Sequence, residues 1–158
     1  MMVLSDEDRR RTEEYFRETS PPKWMNACRK QVEEFLDHHR IVGKCVAVVT
    51  SGGTTVPLER NTVRFVDNCS TGFRGAASVE YLLGLGYAVI YMHRPGTLLT
   101  RPFTSVDDYF YLLRLVATCV EPCKNRALFL LAAAVSDFYV PRQDLSEHKI
   151  SRELVRSS

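Results

Sequence analysis

Three short apolar runs, separated by segments with a helical pattern, constrain this chain most. Cys45 to Val49, Tyr87 to Tyr91 and Ala127 to Val135 are continuous and of strand length. Such runs are typical of strands buried on both faces of a parallel sheet. Helical patterns over residues 76–85 and 105–120 lie between them. The resulting order, β-α-β-α-β, predicts an α/β fold with right-handed crossovers.

The predicted fold is a Rossmann-like, doubly wound parallel sheet with three recognisable strands and N-terminal helices. We predict a helical extension over residues 1–41 and the sheet domain over 42–158. The extension has one helix over 5–19 and a second that begins at Pro22 and ends near Arg40. The second helix has an apolar face that we expect to pack on the sheet domain: Trp24, Cys28, Val32, Phe35 and Leu36. For the helix over 105–120, we expect an apolar face of Val106, Phe110, Leu113 and Val116 or Ala117.

Composition excludes several classes of protein. The formal charge is +2, which gives no reason to expect nucleic acid or an anionic membrane as a partner. The five cysteines form no framework, so we expect reduced thiols, and the single CxxxC of Cys119 and Cys123 lacks the further ligands of a zinc site. The longest apolar run is well short of the roughly 20 residues of a membrane span. No secretory signal begins the chain, and we expect a cytoplasmic location.

In a doubly wound sheet, ligands bind beyond the carboxyl ends of the strands. That rule selects residues 50–54, 92–96 and 136–141. The link from residue 51 to residue 71 is also unusual, because such loops rarely exceed a few residues and long ones are functional or disordered. Apolar residues near Val56 and Val66 would hold this loop in place if it is ordered.

Two segments near this loop have the composition of anion sites. Gly52 lies in a Thr-Ser-Gly-Gly-Thr run at a strand end, where small residues admit a ligand, although a plain turn explains the run equally well. Ser70, Gly72 and Gly75 precede or begin a helix, and helix N-termini bind anions. Ordinary capping by Ser70 or Thr71 is the alternative.

Two further segments have side chains suited to a nucleotide. The run that contains Ala133 and Ala134 leaves room for a flat group, or for close helix packing. Asp137 would accept hydrogen bonds from a nucleotide, help place a metal ion, or cap a turn. Lys149 would neutralise phosphate charge, or lie in solvent as most lysines do.

Together these segments are more specific than any of them alone. VTSGGTTVPLERNTVRFVDNCSTGFRG, then LAAAVSDFYVP, then EHKI closely resemble phosphopantothenoylcysteine synthetase of the eukaryotic type, over about residues 42 to 150. The resemblance implies a ligase of coenzyme A biosynthesis that joins 4'-phosphopantothenate to L-cysteine. A nucleotide with Mg²⁺ would activate the carboxylate as an acyl-nucleotidylate. ATP is the expected nucleotide for the eukaryotic type and CTP for the bacterial type.

The resemblance also implies residue roles. Asn68 matches the asparagine that stabilises the acyl intermediate, and Arg64 matches an arginine near phosphopantothenate. Lys149 is a candidate for stabilising transition-state charge. Further matched positions cradle the phosphates (Gly52, Ser70, Gly72 and Gly75), contact the intermediate through the backbone (Ala133 and Ala134), or contact the nucleotide (Asp137). No protein-bound metal site is implied.

The family pattern continues beyond the EHKI segment, whereas this chain ends at Ser158. We therefore expect a C-terminally truncated chain with an exposed apolar sheet edge and little activity alone. The family implies a homodimer. A non-catalytic relative that binds nucleotide, phosphopantothenate or a full-length partner is the alternative. A nicotinamide-dependent oxidoreductase is disfavoured, because the first strand is not followed by GxGxxG.

Overall fold

The computed structural model describes residues 5–61, 64–94, 103–137, 140–141 and 143–148. Its elements follow the predicted order, with an additional hairpin and a short 3-10 helix. They are α1 (Asp6–Glu18), α2 (Met25–Ile41), β1 (Val46–Ser51), β2 (Thr55–Pro57), β3 (Phe65–Asp67), α3 (Phe73–Gly84), β4 (Ala88–His93), α4 (Val106–Val120), the 3-10 helix (Glu121–Arg126) and β5 (Ala127–Leu131).

The main sheet is parallel, with the order β4-β1-β5. Helix α3 packs on one face, over Ala47 and Val49, while α2 and α4 cover the other face, over Val46 and Val48. The chain therefore moves from β1 to β4 on one face and returns to β5 on the other. This arrangement confirms the predicted doubly wound fold and places the topological switch point between β1 and β5.

The two N-terminal helices pack on α4. Ser5 caps α1 by accepting a hydrogen bond from the Asp8 N–H at 3.1 Å. The Tyr111 hydroxyl donates to the Thr19 carbonyl at 2.9 Å, and the Arg114 guanidinium lies 4.4 Å from the Phe16 ring centroid. Helix α2 begins at Met25 rather than at Pro22, and its predicted apolar face does pack into the main core, with Cys28, Val32 and Leu36 buried.

The long connection after β1 is ordered over much of its length. It contains the antiparallel hairpin of β2 and β3, in which Val56 is opposite Val66. Val56 is buried and anchors the hairpin, as the apolar residues of this loop suggested. The hairpin itself was not predicted, because three-residue strands are too short to show an alternating pattern.

The predicted apolar face of α4 was right in part, and the prediction for β5 was wrong. Val106 and Val116 are buried, and Phe110 and Leu113 pack partly buried against the core. The buried face also includes Tyr109, Leu112 and Leu115, because the helix contacts α2 as well as the sheet. Strand β5 ends at Leu131 instead of Val135, and its side chains are largely exposed rather than buried on both faces. Within the described ranges, no helix has the length and apolar character that a membrane crossing requires.

Candidate functional site at the carboxyl end of β1

The chain bends at Gly52 and then pairs with the alanine run that follows β5. The Ala134 N–H donates to the Gly52 carbonyl at 2.7 Å, and the Thr54 N–H donates to the Ala134 carbonyl at 3.1 Å. The Thr50 hydroxyl accepts from the Ala133 N–H at 3.2 Å. Gly52, Ala133 and Ala134, predicted from two distant segments, therefore lie together at the topological switch point.

Asn68 lies on the other side of this segment. Its N–H donates to the Thr54 carbonyl at 3.1 Å. A Cβ atom on Gly53 would lie 1.5 Å from the Asn68 carbonyl oxygen, so this position admits glycine alone. Gly53 was not among the predicted site residues, although the paired glycines were a signal for it. Its role is to let the Asn68 backbone approach the end of β1.

The Asn68 side chain has a buried hydrogen-bond donor without an acceptor. Its Nδ2 is buried and makes no hydrogen bond within the part of the chain that the structure describes. A buried amide N–H without a partner costs about 1–3 kcal/mol, and most such groups in folded proteins are satisfied. A carbonyl or phosphoryl oxygen of a ligand would remove that cost.

The N-terminus of α3 contacts β1 closely. A Cβ atom on Gly75 would lie 2.3 Å from the Ser51 Cβ, so Gly75 is required for the helix to sit on the strand end. The Ser51 hydroxyl donates to the carbonyl of Gly72, which begins the helix with a positive φ of 72°. The Ser70 hydroxyl accepts from the Gly72 N–H at 3.3 Å. Helix α3 has no acidic residue in its first turn, so its positive dipole end is not neutralised there.

Arg64 directly precedes β3, and its charge is paired. The fully buried Glu59 carboxylate accepts from Arg64 Nε at 2.6 Å, while the arginine side chain remains 40% exposed. Glu59 was missed in the sequence, because a single glutamate in a polar loop gives no signal of burial.

Arg94 was also missed, although it lies in the segment selected after the second strand. It donates to Asp67 at 2.6 Å, and its backbone lies against Gly52. It therefore adds a partly exposed guanidinium beside the turn that ends β1. Pro95 and Gly96, from the same segment, lie outside the described residues.

Asp137 follows the alanine run and Ser136. It is exposed and lines a cavity of about 570 Å³ between α1 and the segment that follows β5. The adjacent Ser136 is tied to the site through its N–H, which donates to the Thr54 hydroxyl at 3.3 Å. No hydrogen bond joins Asp137 to Asn68 among the described contacts.

Lys149 lies outside the described residues, but the segment before it is docked on the hairpin loop. The Arg60 N–H donates to the Ser146 carbonyl, and the Arg60 guanidinium donates to the Gln143 carbonyl, both at 2.9 Å. Beneath the site, Tyr109 is buried, and burial raises the pKa of its hydroxyl above the ordinary value. A neutral phenol there adds no negative charge to an anion site.

The described residues thus form a doubly wound sheet whose switch point brings together a helix N-terminus and a buried amide without a partner among them, an arrangement typical of proteins that bind anionic ligands. The family described as the DNA/pantothenate metabolism flavoprotein C-terminal domain matches residues 42–157, and the chain belongs to it.

Curated relatives give a more specific similarity. The chain is 39% identical to phosphopantothenate–cysteine ligase 1 of Oryza sativa subsp. japonica, over 65% of this chain and 47% of the relative. It is 34% identical to phosphopantothenate–cysteine ligase CAB2 of Saccharomyces cerevisiae, over 87% of this chain and 51% of the relative. A solved structure of a Cab2 mutant in complex with phosphopantothenate-cysteine superposes with a TM-score of 0.79 at 34% identity, over 89% of this chain and 62% of that chain.

These similarities confirm the resemblance to phosphopantothenoylcysteine synthetase. This chain spans about half the length of the curated relatives it matches.

Proposed function

We propose that the switch-point cluster is the acyl-activating site of a phosphopantothenate–cysteine ligase. Asn68 carries the proposal, because its amide nitrogen is buried near the end of β1 and has no hydrogen-bond partner among the residues that the structure describes. An acyl-nucleotidylate has carbonyl and phosphoryl oxygens that such a donor would bind. Donors that already point at a developing charge stabilise it without reorganisation.

The proposed reaction has two transfers. The carboxylate of 4'-phosphopantothenate attacks the α-phosphorus of the nucleotide, and pyrophosphate leaves. The amine of L-cysteine then attacks the acyl carbon, and the nucleoside monophosphate leaves. Both steps depend on positioning and on stabilised oxyanions rather than on a histidine base or a nucleophilic thiol.

The proposed roles come from the family resemblance, and the positions of the described residues support them. Gly52, Ser70, Gly72 and Gly75 surround the strand end and the α3 N-terminus, where phosphates would bind. The backbone of Ala133 and Ala134 lines the opposite side of the proposed site. Asp137 and Lys149 would contact the nucleotide from the segment after β5.

The described residues contain no group of three side chains suited to a metal ion. Mg²⁺ would therefore enter with the nucleotide, held by phosphate oxygens and water, and would offset phosphate charge. ATP is the proposed nucleotide, with CTP as the alternative. A homodimer and a cytoplasmic location are parts of the same proposal.

The test is pyrophosphate release by the purified chain with 4'-phosphopantothenate, L-cysteine, Mg²⁺ and either ATP or CTP. We expect release that requires phosphopantothenate and falls at least about 100-fold in Asn68→Ala, as when an oxyanion donor is removed. Gly84→Ala is the matched control, because nothing lies within 4 Å of the added methyl group. Equal rates of pyrophosphate release in Asn68→Ala and in a parent chain that does release pyrophosphate would refute the assignment.

A second candidate, ligand binding without turnover, is supported by the exposure of β5. A mixed anhydride is hydrolysed unless its site excludes water. The strand that leads into the alanine run has four exposed apolar side chains, namely Leu128, Phe129, Leu130 and Leu131. Saturable nucleotide and phosphopantothenate binding with no pyrophosphate release would favour this candidate.

A further inference from the structure

We infer that Glu59 is a positioning residue. It holds the Arg64 guanidinium in the orientation that binds an oxyanion of the acid substrate. The inference rests on the proposed function, because it names a residue that acts through Arg64 on the same substrate. Glu59 does not itself reach solvent or ligand, since its side chain is 0% exposed.

The contacts between the two residues are specific. Glu59 Oε1 lies 2.6 Å from Arg64 Nε and 2.5 Å from Arg64 Nη2, and Oε2 accepts from the Arg64 backbone N–H at 3.0 Å. A buried carboxylate is strongly unfavourable without a cation, so Glu59 holds the guanidinium in one orientation. Both the side chain and the backbone of Arg64 are thereby fixed.

This orientation leaves the other edge of the guanidinium for a ligand. Arginine presents two pairs of donors, the Nε and Nη2 edge and the Nη1 and Nη2 edge. Glu59 takes the first edge. Among the described residues no hydrogen bond or ion pair to Arg64 Nη1 is found, and the side chain is 40% exposed. A phosphate or carboxylate can bind such an edge in a bidentate manner.

The position of Arg64 relative to Asn68 supports the same inference. The Leu58 N–H donates to the Arg64 carbonyl at 3.0 Å, and the Asn68 N–H donates to the Thr54 carbonyl at 3.1 Å, so ladder hydrogen bonds extend past both ends of β3. Residues four apart on an extended strand share a face. One elongated acid substrate could therefore contact both side chains, with its phosphate or its carboxylate at Arg64.

The experiment is a double-mutant cycle read by calorimetric binding of 4'-phosphopantothenate. The proteins are the full chain, Glu59→Gln, Arg64→Ala and the double variant. We expect Glu59→Gln to weaken binding about tenfold in the parent, about the loss of one charge-assisted hydrogen bond, and to add nothing in Arg64→Ala. Glu121→Gln removes an exposed ion pair with Lys124 and is the matched control, with unchanged binding expected.

Two additional measurements separate structural effects from positioning. Arg64→Lys keeps a cation for Glu59 but lacks a second edge, so it should fold and still bind weakly. Pantothenate, which lacks the phosphate, identifies the oxyanion. A Glu59→Gln effect that disappears with pantothenate assigns the phosphate to Arg64, whereas a retained effect assigns the carboxylate.

The proposed function and this inference can fail separately. If the parent chain does not bind phosphopantothenate, the Arg64 Nε–H signal in a nitrogen–proton correlation spectrum is followed during titration with inorganic phosphate. A shift in the parent that is absent in Glu59→Gln would retain the positioning role without the proposed substrate. An equal loss of binding from Glu59→Gln in both backgrounds, or no phosphate-dependent shift, would overturn the inference.

Discussion

Strands β1 and β5 are hydrogen-bonded neighbours with similar apolar composition, yet they lie in opposite environments. In β1 Val48 is 0% exposed, whereas in β5 Phe129, directly opposite it, is 39% exposed and Leu131 is 55% exposed. Strand β1 has a strand on each side and helices on both faces, while β5 pairs only with β1 among the described residues. An apolar run therefore predicts a strand, but its neighbours decide its burial.

The same difference explains where the site can form. The carboxyl end of β1 is held by hydrogen bonds from both sides and by the first turn of α3, and a rigid support of this kind favours ligand positioning. The end of β5 contributes to the site only through the alanine run that pairs with Gly52 and Thr54.

The largest contrast is expected from placing a charge on each strand. Val48→Lys should destabilise the fold by more than about 4 kcal/mol, because it buries an unpaired ammonium group. Leu130→Lys should change the free energy of unfolding by less than about 1 kcal/mol, because the side chain is already partly in solvent. It should also reduce self-association, because a charge on an edge strand opposes pairing with a second chain. Urea denaturation and sedimentation velocity check the two variants. Equal losses in the free energy of unfolding for the two variants would contradict the difference in burial between β1 and β5.

A methyl group at Gly53 tests how tightly the end of β1 is held. Gly53→Ala places a Cβ against the Asn68 carbonyl, so it should displace the hairpin and destabilise the chain by about 3 kcal/mol or more. Gly84→Ala, in open space at the end of α3, should instead stabilise it by up to about 1 kcal/mol. Thermal unfolding of both variants is the measurement. Similar melting temperatures would contradict the close approach of the Asn68 carbonyl to Gly53.

Truncation of paired residues gives a smaller and more direct contrast. Val49 and Leu130 are opposite one another across the ladder. Val49→Ala should cost about 2 kcal/mol, because it opens a cavity in the core, and Leu130→Ala less than about 1 kcal/mol. A larger loss from Leu130→Ala in chemical denaturation would show that β5 is covered in solution.

The smallest effect concerns the helix that covers one face of β1. Ser105 begins α4 with a capping box, in which its hydroxyl accepts from the Asp108 N–H at 3.0 Å. Ser105→Ala should cost about 1 kcal/mol, and Ser105→Asp should largely restore it. Unchanged stability of Ser105→Ala would mean that packing alone fixes the start of α4.

Much of the fold could be predicted because its signals are local. The strand runs, the Ser5 and Ser105 caps and the apolar face of α2 all depend on residues within a few turns of one another. The exposure of β5 could not be predicted, because it depends on which elements pack beside the strand. The β2–β3 hairpin was missed because its three-residue strands are too short to show an alternating pattern, and its pairing depends on the burial of Val56.

The candidate site was predicted through motifs and not through geometry. Gly52, Asn68, Gly72 and Gly75 were selected as short segments, and the structure brings them to one strand end. Glu59 could not be found in this way, because its importance comes from complete burial against Arg64.

The most direct test of acyl activation by this chain is to look for the acyl-nucleotidylate itself. The chain would be incubated with 4'-phosphopantothenate, Mg²⁺ and ATP or CTP without cysteine, quenched, and examined by mass spectrometry. We expect this species to accumulate in the parent chain, to be absent in Asn68→Ala, and to disappear when cysteine is added. Its absence in a parent chain that binds both substrates, or equal accumulation in Asn68→Ala, would contradict the placement of acyl activation at the carboxyl end of β1.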